Sequence, residues 1–537
     1  MPRIQVLAAG AIFTVLALFY TYPMVLEPSQ ANRFDSPDSM LTAWILSWDL
    51  HQLGRDPLHL FDANIFYPDK GTLAYSENLL TAAAMVVPVR LFTDDPVLLL
   101  NAALIGALLT SGLAAFILAR QVTGSFLSGL LAGILFAFAP YRWAHVPHLQ
   151  LQLAFALPLS FYFVRRLGDD ASTAAAIGLA LTIAAAFGSS GYYAVFMLTA
   201  LPLVVAAEWL RSAIRPRMLK QLTLAGVSTI LLVAPLVLPY AKKLGQGSIR
   251  TFQVTTEYSA GLREYASSFS KLHFFLPKAE EPLFPGAVAV GLAMVALISS
   301  LRRRQPHPSS SVNVFALVRD EWTFAAVGLL GVVLSLGPSG GLFTLLFRFL
   351  PPYQGLRVPS RAAILFLLAM ALLAAFGLSK VKRRGIRLLL IFVAALECYA
   401  GPLPWSFELP PLPPIYHHIA ALPEQAALVE LPLPHPDHFQ DNVRYVYRST
   451  THWRPLVNGY SGFVPASYRR AFHLLMRQEL DSGLRQLSDE GVHFVLVHAQ
   501  RVGPRMLRQI TAAERSGLLR LREEEGDDRL YEIRPNE

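Results

Sequence analysis

The sequence predicts an α-helical polytopic membrane protein with about eleven transmembrane helices and a small C-terminal α/β domain outside the cytoplasm. Three observations carry this prediction. Of 537 residues, 53% are hydrophobic and only 15% charged, whereas soluble domains are about one quarter charged. Mean hydropathy is +0.41. Apolar runs recur from the N-terminus to residue 403, and basic residues collect in every second connection between them.

The first run, residues 4–26, follows Met-Pro-Arg and ends in Tyr20, Tyr22 and Pro23. It is longer than the core of a cleaved signal peptide and reads as a retained first helix. Further runs cover 96–119, 126–143, 149–164, 174–187, 192–207, 222–240, 284–300, 322–336, 362–378 and 388–403. With a cytoplasmic N-terminus, five basic groups fall inside. They are Arg120; Arg165 and Arg166; Arg211, Arg215, Arg217 and Lys220; Arg302, Arg303, Arg304 and Arg319; and Lys380, Lys382, Arg383, Arg384 and Arg387. That alternation is what the positive-inside rule demands. It also explains the net charge of +9, so the excess is a topology signal and not a nucleic-acid footprint. Residues 27–95, 141–148, 241–282 and 337–361 then lie outside, as does the chain from about 404. The expected domains are 1–403, with a structured first outer loop at 27–95, and 404–537.

Within that first loop, Leu41, Trp44, Ile45, Trp48 and Leu53 recur at helical spacing across 40–53. The pattern predicts an amphipathic helix lying at the membrane interface. Residues 79–92 are apolar but broken by Pro88 and too short to cross. Beyond the Pro-rich linker 402–414, short buried strands are expected at 426–433 and 492–497, and helices at 467–480 and 502–517. A closing hairpin is expected over 518–534, turning at Gly526-Asp-Asp. The single cysteine, Cys398, lies in an apolar run and excludes an internal disulfide or a thiolate cluster.

No P-loop, HExxH, GxSxG or Cys/His metal spacing is present. Chemistry, if any, belongs to polar groups at the outer helix ends. Asp35-Ser-Pro-Asp38 follows the first run. A carboxylate there suits a general base, because a low-dielectric edge raises its basicity; capping of the next helix by Asp38 or Ser36 is the structural alternative. Tyr67-Pro-Asp69 through Tyr75-Ser-Glu77-Asn78 adds Glu77, which otherwise reads as a cap. Tyr141-Arg142-Trp143-Ala-His145-Val-Pro-His148 offers Arg142, His145 and His148 to a phosphate, or forms an interfacial belt. In Pro352–Arg361, Arg357 and Arg361 lie outside against the charge rule. A phosphate to grip is one reason for that placement, and a surface ion pair or lipid head group is the other. Glu397, inside the last run, is expected to pair with an arginine. His452-Trp453-Arg454 and Asn458-Gly459-Tyr460-Ser461-Gly462 suit either sugar stacking or turn chemistry.

Taken together, Asp35-Ser-Pro-Asp38 with Trp44 and Trp48 resembles the GT-C superfamily of membrane glycosyltransferases. So do Asn64-Ile-Phe-Tyr-Pro68 through Glu77, His145-Val-Pro-His148 and Gly355-Leu-Arg357-Val-Pro-Ser-Arg361. The resemblance covers the membrane half and extends to uncharacterised bacterial multi-spanning members. It implies an inverting glycosyltransferase that takes a sugar from a polyprenyl-phosphate or -pyrophosphate donor on the outer face of a bacterial inner (plasma) membrane. The acceptor is a glycan, lipid or protein of the cell envelope. On the same resemblance, Asp38 is the base, with Asp35 second and Glu77 a further acid. Arg357, Arg361, His145, His148 and Arg142 bind the donor phosphate. No cofactor is implied with certainty; the paired Asp-Asp or Asp-Glu of the family pattern is missing here, and a divalent metal stays open. A lipid or glycan transporter (flippase) and a non-catalytic scaffold are the competing classes. Neither an internal repeat nor midplane charge favours transport.

Overall fold

The computed structural model describes residues 3–245, 251–302, 319–423 and 426–534. Arg303 and Arg304 of the fourth basic group lie outside them. Every predicted apolar run contains a helix: Arg3–Tyr20, Pro96–Thr123, Phe126–Ala137, Ala156–Asp169, Thr173–Phe187, Gly191–Arg211, Arg215–Gly245, Ala287–Arg302, Asp320–Ser335, Ile364–Lys380 and Arg384–Cys398. Among the described residues, six helical stretches are long and apolar enough to cross a membrane: Arg3–Tyr20, Pro96–Thr123, Phe126–Ala144, Gly191–Arg211, Arg215–Gly245 and Pro359–Lys380. The remaining five are shorter, so a count of eleven crossings rests on the charge pattern of the sequence. Two runs are interrupted. Helix Phe126–Ala137 stops before Pro140, which opens the short helix Pro140–Ala144. Run 149–164 divides into Leu149–Gln152 and Ala156–Asp169.

The chain forms two compact units. The first comprises Met1–Pro28, Leu79–Val86 and Asn101–Trp405; the second comprises Ser29–Asn78, Val87–Leu100 and Ser406–Glu537. The first outer loop is thus grouped with the C-terminal residues.

In the first unit, helix Ile364–Lys380 is buried along almost its whole length. Its neighbour Ala287–Arg302 approaches so closely that a Cβ on Gly377 would stand 2.0 Å from the carbonyl oxygen of Leu292. Small residues at such crossings let helix backbones meet without a hydrophobic drive from water. Residues predicted on one side of the membrane touch each other. Arg165 Nη1 lies 3.0 Å from Asp320, Arg211 Nη2 lies 2.7 Å from Glu208, and Gln121 donates to Asp169. Residues predicted on the other side do likewise: Tyr20 donates to the Ala395 carbonyl and Trp143 to that of Cys398. Glu397 meets His273 at 3.2 Å, not an arginine, and accepts the N–H groups of Ala287 and Val288 at 2.9 and 3.0 Å. A carboxylate at exposed helix N–H groups is stabilised by the same partial charge that an arginine offers, and this is why the expected arginine is not needed.

The second unit is built on a four-stranded mixed sheet in the order β1-β2-β4-β3: β1 Ala427–Leu431, β2 Val492–His498, β3 Leu519–Glu525 and β4 Asp528–Ile533. β1 and β2 are parallel and the other pairs antiparallel. The predicted strands and hairpin are all present, the hairpin turning at Gly526 with φ +59°. Ile415, Tyr416, Ile419, Leu428, Phe494, Leu496 and Leu530 pack as its core. The first outer loop is woven into this unit by backbone pairing: Phe66 N–H donates to Asn458, Tyr67 N–H to Leu456 and Leu456 N–H to Asn64. Gly459 is required there, since a Cβ would collide with the Phe66 ring at 2.5 Å.

Helix Pro37–Arg55 corrects one expectation. Its Trp44 and Trp48 are not presented to a membrane interface but are buried, 1% and 4% exposed. The rings stack on each other, Trp48 packs on Trp453, and Trp48 Nε1 donates to the Leu60 carbonyl. A polar stripe of Ser, Asp and Gln suggests one wet face, but here Ser47, Asp49 and Gln52 are also buried.

Candidate active site

Candidate residues occur in both units. In the second, Asp38 stands in the first turn of helix Pro37–Arg55. Ser36 occupies the cap position without a side-chain cap hydrogen bond. Tyr460, far along the chain, donates its hydroxyl to Asp38 Oδ1 at 3.3 Å. Phe439 packs on Tyr460 with ring centroids 5.4 Å apart. A half-buried carboxylate beside two aromatic rings is chemically able to accept a proton from a sugar hydroxyl while the rings take an apolar sugar face. Asp35 is different: Arg33 donates to both of its oxygens at 3.0 Å, and this pairing holds its carboxyl below the usual range. Glu77 is half-buried in the same unit. Asp69 accepts from Ser467, and Tyr67 donates to the Glu490 carbonyl.

The neighbouring aromatic motifs are structural. Trp453 stacks on His51 at 4.6 Å. Arg454 donates to the carbonyls of Ile419 and Leu422. Asn458 exchanges hydrogen bonds with the backbone of Glu430 and donates to Asn442.

In the first unit, the predicted cations from two separate outer segments come together. Arg361 occupies the turn Pro359–Ala363 that opens the buried helix Ile364–Lys380, and its guanidinium lies 4.6 Å over the Tyr192 ring. Four residues earlier, Arg357 lies 4.4 Å over Tyr258, donates to the Tyr258 hydroxyl, and offers its backbone N–H to Tyr192 Oη at 2.9 Å. His145 is 8% exposed. Its Nδ1 is 2.8 Å from the Tyr141 carbonyl and its Nε2 3.3 Å from Glu281 Oε2. The His148 ring packs against His145 in a tilted arrangement, with centroids 5.9 Å apart. Arg142 is fully buried and donates through Nη2 to Ser111 and to the Gln152 carbonyl. Tyr193 lies within electrostatic reach of both Arg142 and Arg361, and Tyr141 within that of Arg361 and Glu281. Gln152 closes the loop by donating to the carbonyls of Arg142 and His145. These bonds explain why the chain breaks helix between residues 137 and 156.

Sequence reading missed Glu281. Burial by itself raises its carboxyl, yet His145, Arg361 and Ser360 outweigh that and hold it below the ordinary range. Glu281 also lines a cavity of about 300 Å³ with Glu257, Tyr258, Arg263, Glu264 and Lys278. In the sequence it was one of two adjacent glutamates in an unpatterned loop, with no spacing to mark it. Among the described residues no group of three His, Cys, Asp or Glu is close enough to hold a metal ion.

No protein-family description matches the sequence, and no curated protein resembles it. Solved structures do. The arabinofuranosyltransferase AftD from Mycobacteria aligns with 100% of this chain at 14% identity and a TM-score of 0.63, and the chain spans 40% of that protein. A mutant form of AftD gives 14% identity and 0.62, with 42% of its length covered. An apo oligosaccharyltransferase from Archaeoglobus fulgidus gives 12% identity and 0.44 over 93% of this chain and 70% of its own, a score that carries no weight. The chain thus shares its fold with part of this arabinofuranosyltransferase, and likeness at this identity speaks for the fold alone.

Proposed function

We propose that the protein is a glycosyltransferase that moves a sugar from a polyprenyl-phosphate-type donor to an acceptor hydroxyl on the outer face of the membrane. The observation that supports this best is the gathering of half-buried Arg361 with buried His145 and Arg142, from two segments distant in sequence, into one tyrosine-walled cluster, in a chain that shares its fold with part of AftD. Guanidinium and imidazolium donors in a low-dielectric setting suit a lipid-borne phosphate.

In this reading Asp38 takes the proton of the acceptor hydroxyl, whose oxygen bonds to the anomeric carbon. The bond from that carbon to the donor phosphate oxygen breaks, with inversion, and its electron pair stays on the phosphate. Arg361 and His145, together with Arg142, Arg357 and His148, stabilise the charge that grows there. Cations placed in advance at a developing anion are usually the largest single catalytic term. Tyr460 orients the Asp38 carboxylate. Asp35, held by Arg33, and Glu77 are secondary. The N-terminus is cytoplasmic and the second unit extracytoplasmic.

The test is a proteoliposome assay with polyprenyl-phosphate sugars. Sugar transfer with release of polyprenyl phosphate supports the proposal. Translocation of the intact lipid without bond cleavage, surviving Asp38→Asn, refutes it in favour of a flippase.

A further inference from the structure

We propose that Glu281 is the specificity-determining residue of the cation cluster: its carboxylate is a resident anion that an incoming ligand must displace, so that phosphates enter and simple carboxylates do not. This rests on the reading that the cluster takes a phosphate.

The Tyr141 carbonyl can only accept, so His145 Nδ1 carries a hydrogen. Nε2 faces a Glu281 carboxylate oxygen at 3.3 Å. His145, Arg361 and Ser360 hold this carboxyl below the ordinary range although burial raises it, and Glu281 stands among them as an anion. The anion site is already filled, by the chain itself.

The fit is incomplete. Among the described residues, Nε and Nη1 of Arg142, Nε of Arg361 and Oε2 of Glu281 are buried without a hydrogen-bond partner. Buried donors left unpaired are costly. A free carboxylate arriving here replaces Glu281 one for one and satisfies nothing further, so the exchange gains little. A phosphate brings more oxygens and reaches donors that Glu281 leaves empty. Selectivity follows from the resident group and not from the shape of the cluster.

Glu281 also lines the cavity of about 300 Å³, whose wall carries Arg263 and Lys278 together with Glu257, Glu264 and Glu280.

Dodecyl phosphate and dodecanoate share a tail and differ only in the head group. Their binding to the purified full-length protein in detergent, measured by calorimetry, separates the possibilities. Wild type is expected to bind dodecyl phosphate and to bind dodecanoate at least about tenfold more weakly. Glu281→Gln is expected to bind dodecanoate about tenfold more tightly than wild type, the scale of one lost charge contact. Glu281→Asp keeps the discrimination, and Arg361→Ala loses the phosphate. An unchanged phosphate-to-carboxylate ratio in Glu281→Gln overturns this inference, while the loss in Arg361→Ala would still uphold the phosphate reading. If neither wild type nor Glu281→Gln binds dodecyl phosphate, with both melting cooperatively, both readings fall.

Discussion

Nε2 of His145 lies 3.3 Å from Oε2 of Glu281, joining a connection between two helices to a loop more than a hundred residues later. His145 and Arg361 both act on this one carboxylate, so on the phosphate reading they also act on one ligand. His145→Ala is expected to weaken alkyl phosphate binding about tenfold and Arg361→Ala more, with the double variant weaker than either single but short of their product. Calorimetry on the three variants measures the coupling. Strict additivity would mean that the two cations serve different sites.

Tyr460 donates to Asp38 Oδ1. Tyr460→Phe removes that hydrogen bond and leaves the ring. Turnover is expected to fall about tenfold, the value of one such bond near an ionised group, with donor affinity unchanged. Steady-state kinetics in proteoliposomes reads the split between kcat and KM.

Asp49 is fully buried in helix Pro37–Arg55, and neither carboxylate oxygen has a hydrogen-bond partner among the described residues. Burial therefore pushes its carboxyl well above the carboxylate range. The folded state holds a proton that the unfolded chain releases, so stability falls as pH rises above the ordinary carboxylate value. Asp49→Leu is expected to raise the apparent Tm in detergent by a few degrees, on the scale of about 1–3 kcal/mol for an unpaired buried polar group. It is also expected to flatten the dependence on pH. A lower Tm would show that Asp49 has a partner in solution.

His498 lies between two carboxylates, with Nε2 3.0 Å from Glu430 and Nδ1 2.7 Å from Asp528. Burial lowers its pKa, but the two acids more than offset this and raise it. Its contribution to stability is complete below the ordinary histidine value and is lost as pH rises through the raised one. His452 behaves oppositely: burial brings it down to about 4, so its contribution is lost as pH falls from about 6.5 towards that value. The second unit is thus expected to be most stable between these limits. Asp528→Asn is expected to lower the Tm and to move the alkaline loss to lower pH, as melting curves from pH 5 to about 9 would reveal.

Much of this architecture was legible in the sequence because membranes and sheets impose strong periodicities. The eleven apolar runs all carry helices, and Val492–His498 and the hairpin at Gly526 follow directly from apolar patterning and turn chemistry. Arg357 and Arg361 stood out because they broke the charge rule. What was hidden depends on contacts distant in sequence. Trp44 and Trp48 looked interfacial because the residues that bury them, such as Trp453, lie about four hundred positions away. Glu281 carried no local pattern, Tyr460 read only as part of a turn or a sugar-stacking motif, and only folding sets them beside His145 and Asp38.

The most direct measurement is the rate at which the purified protein in liposomes releases polyprenyl phosphate from a polyprenyl-phosphate sugar in the presence of an acceptor, for wild type and Asp38→Asn. A general base contributes about 10²- to 10⁴-fold. The account predicts release by wild type and a loss of that size in Asp38→Asn, with alkyl phosphate binding intact. Equal rates in the two proteins would contradict it.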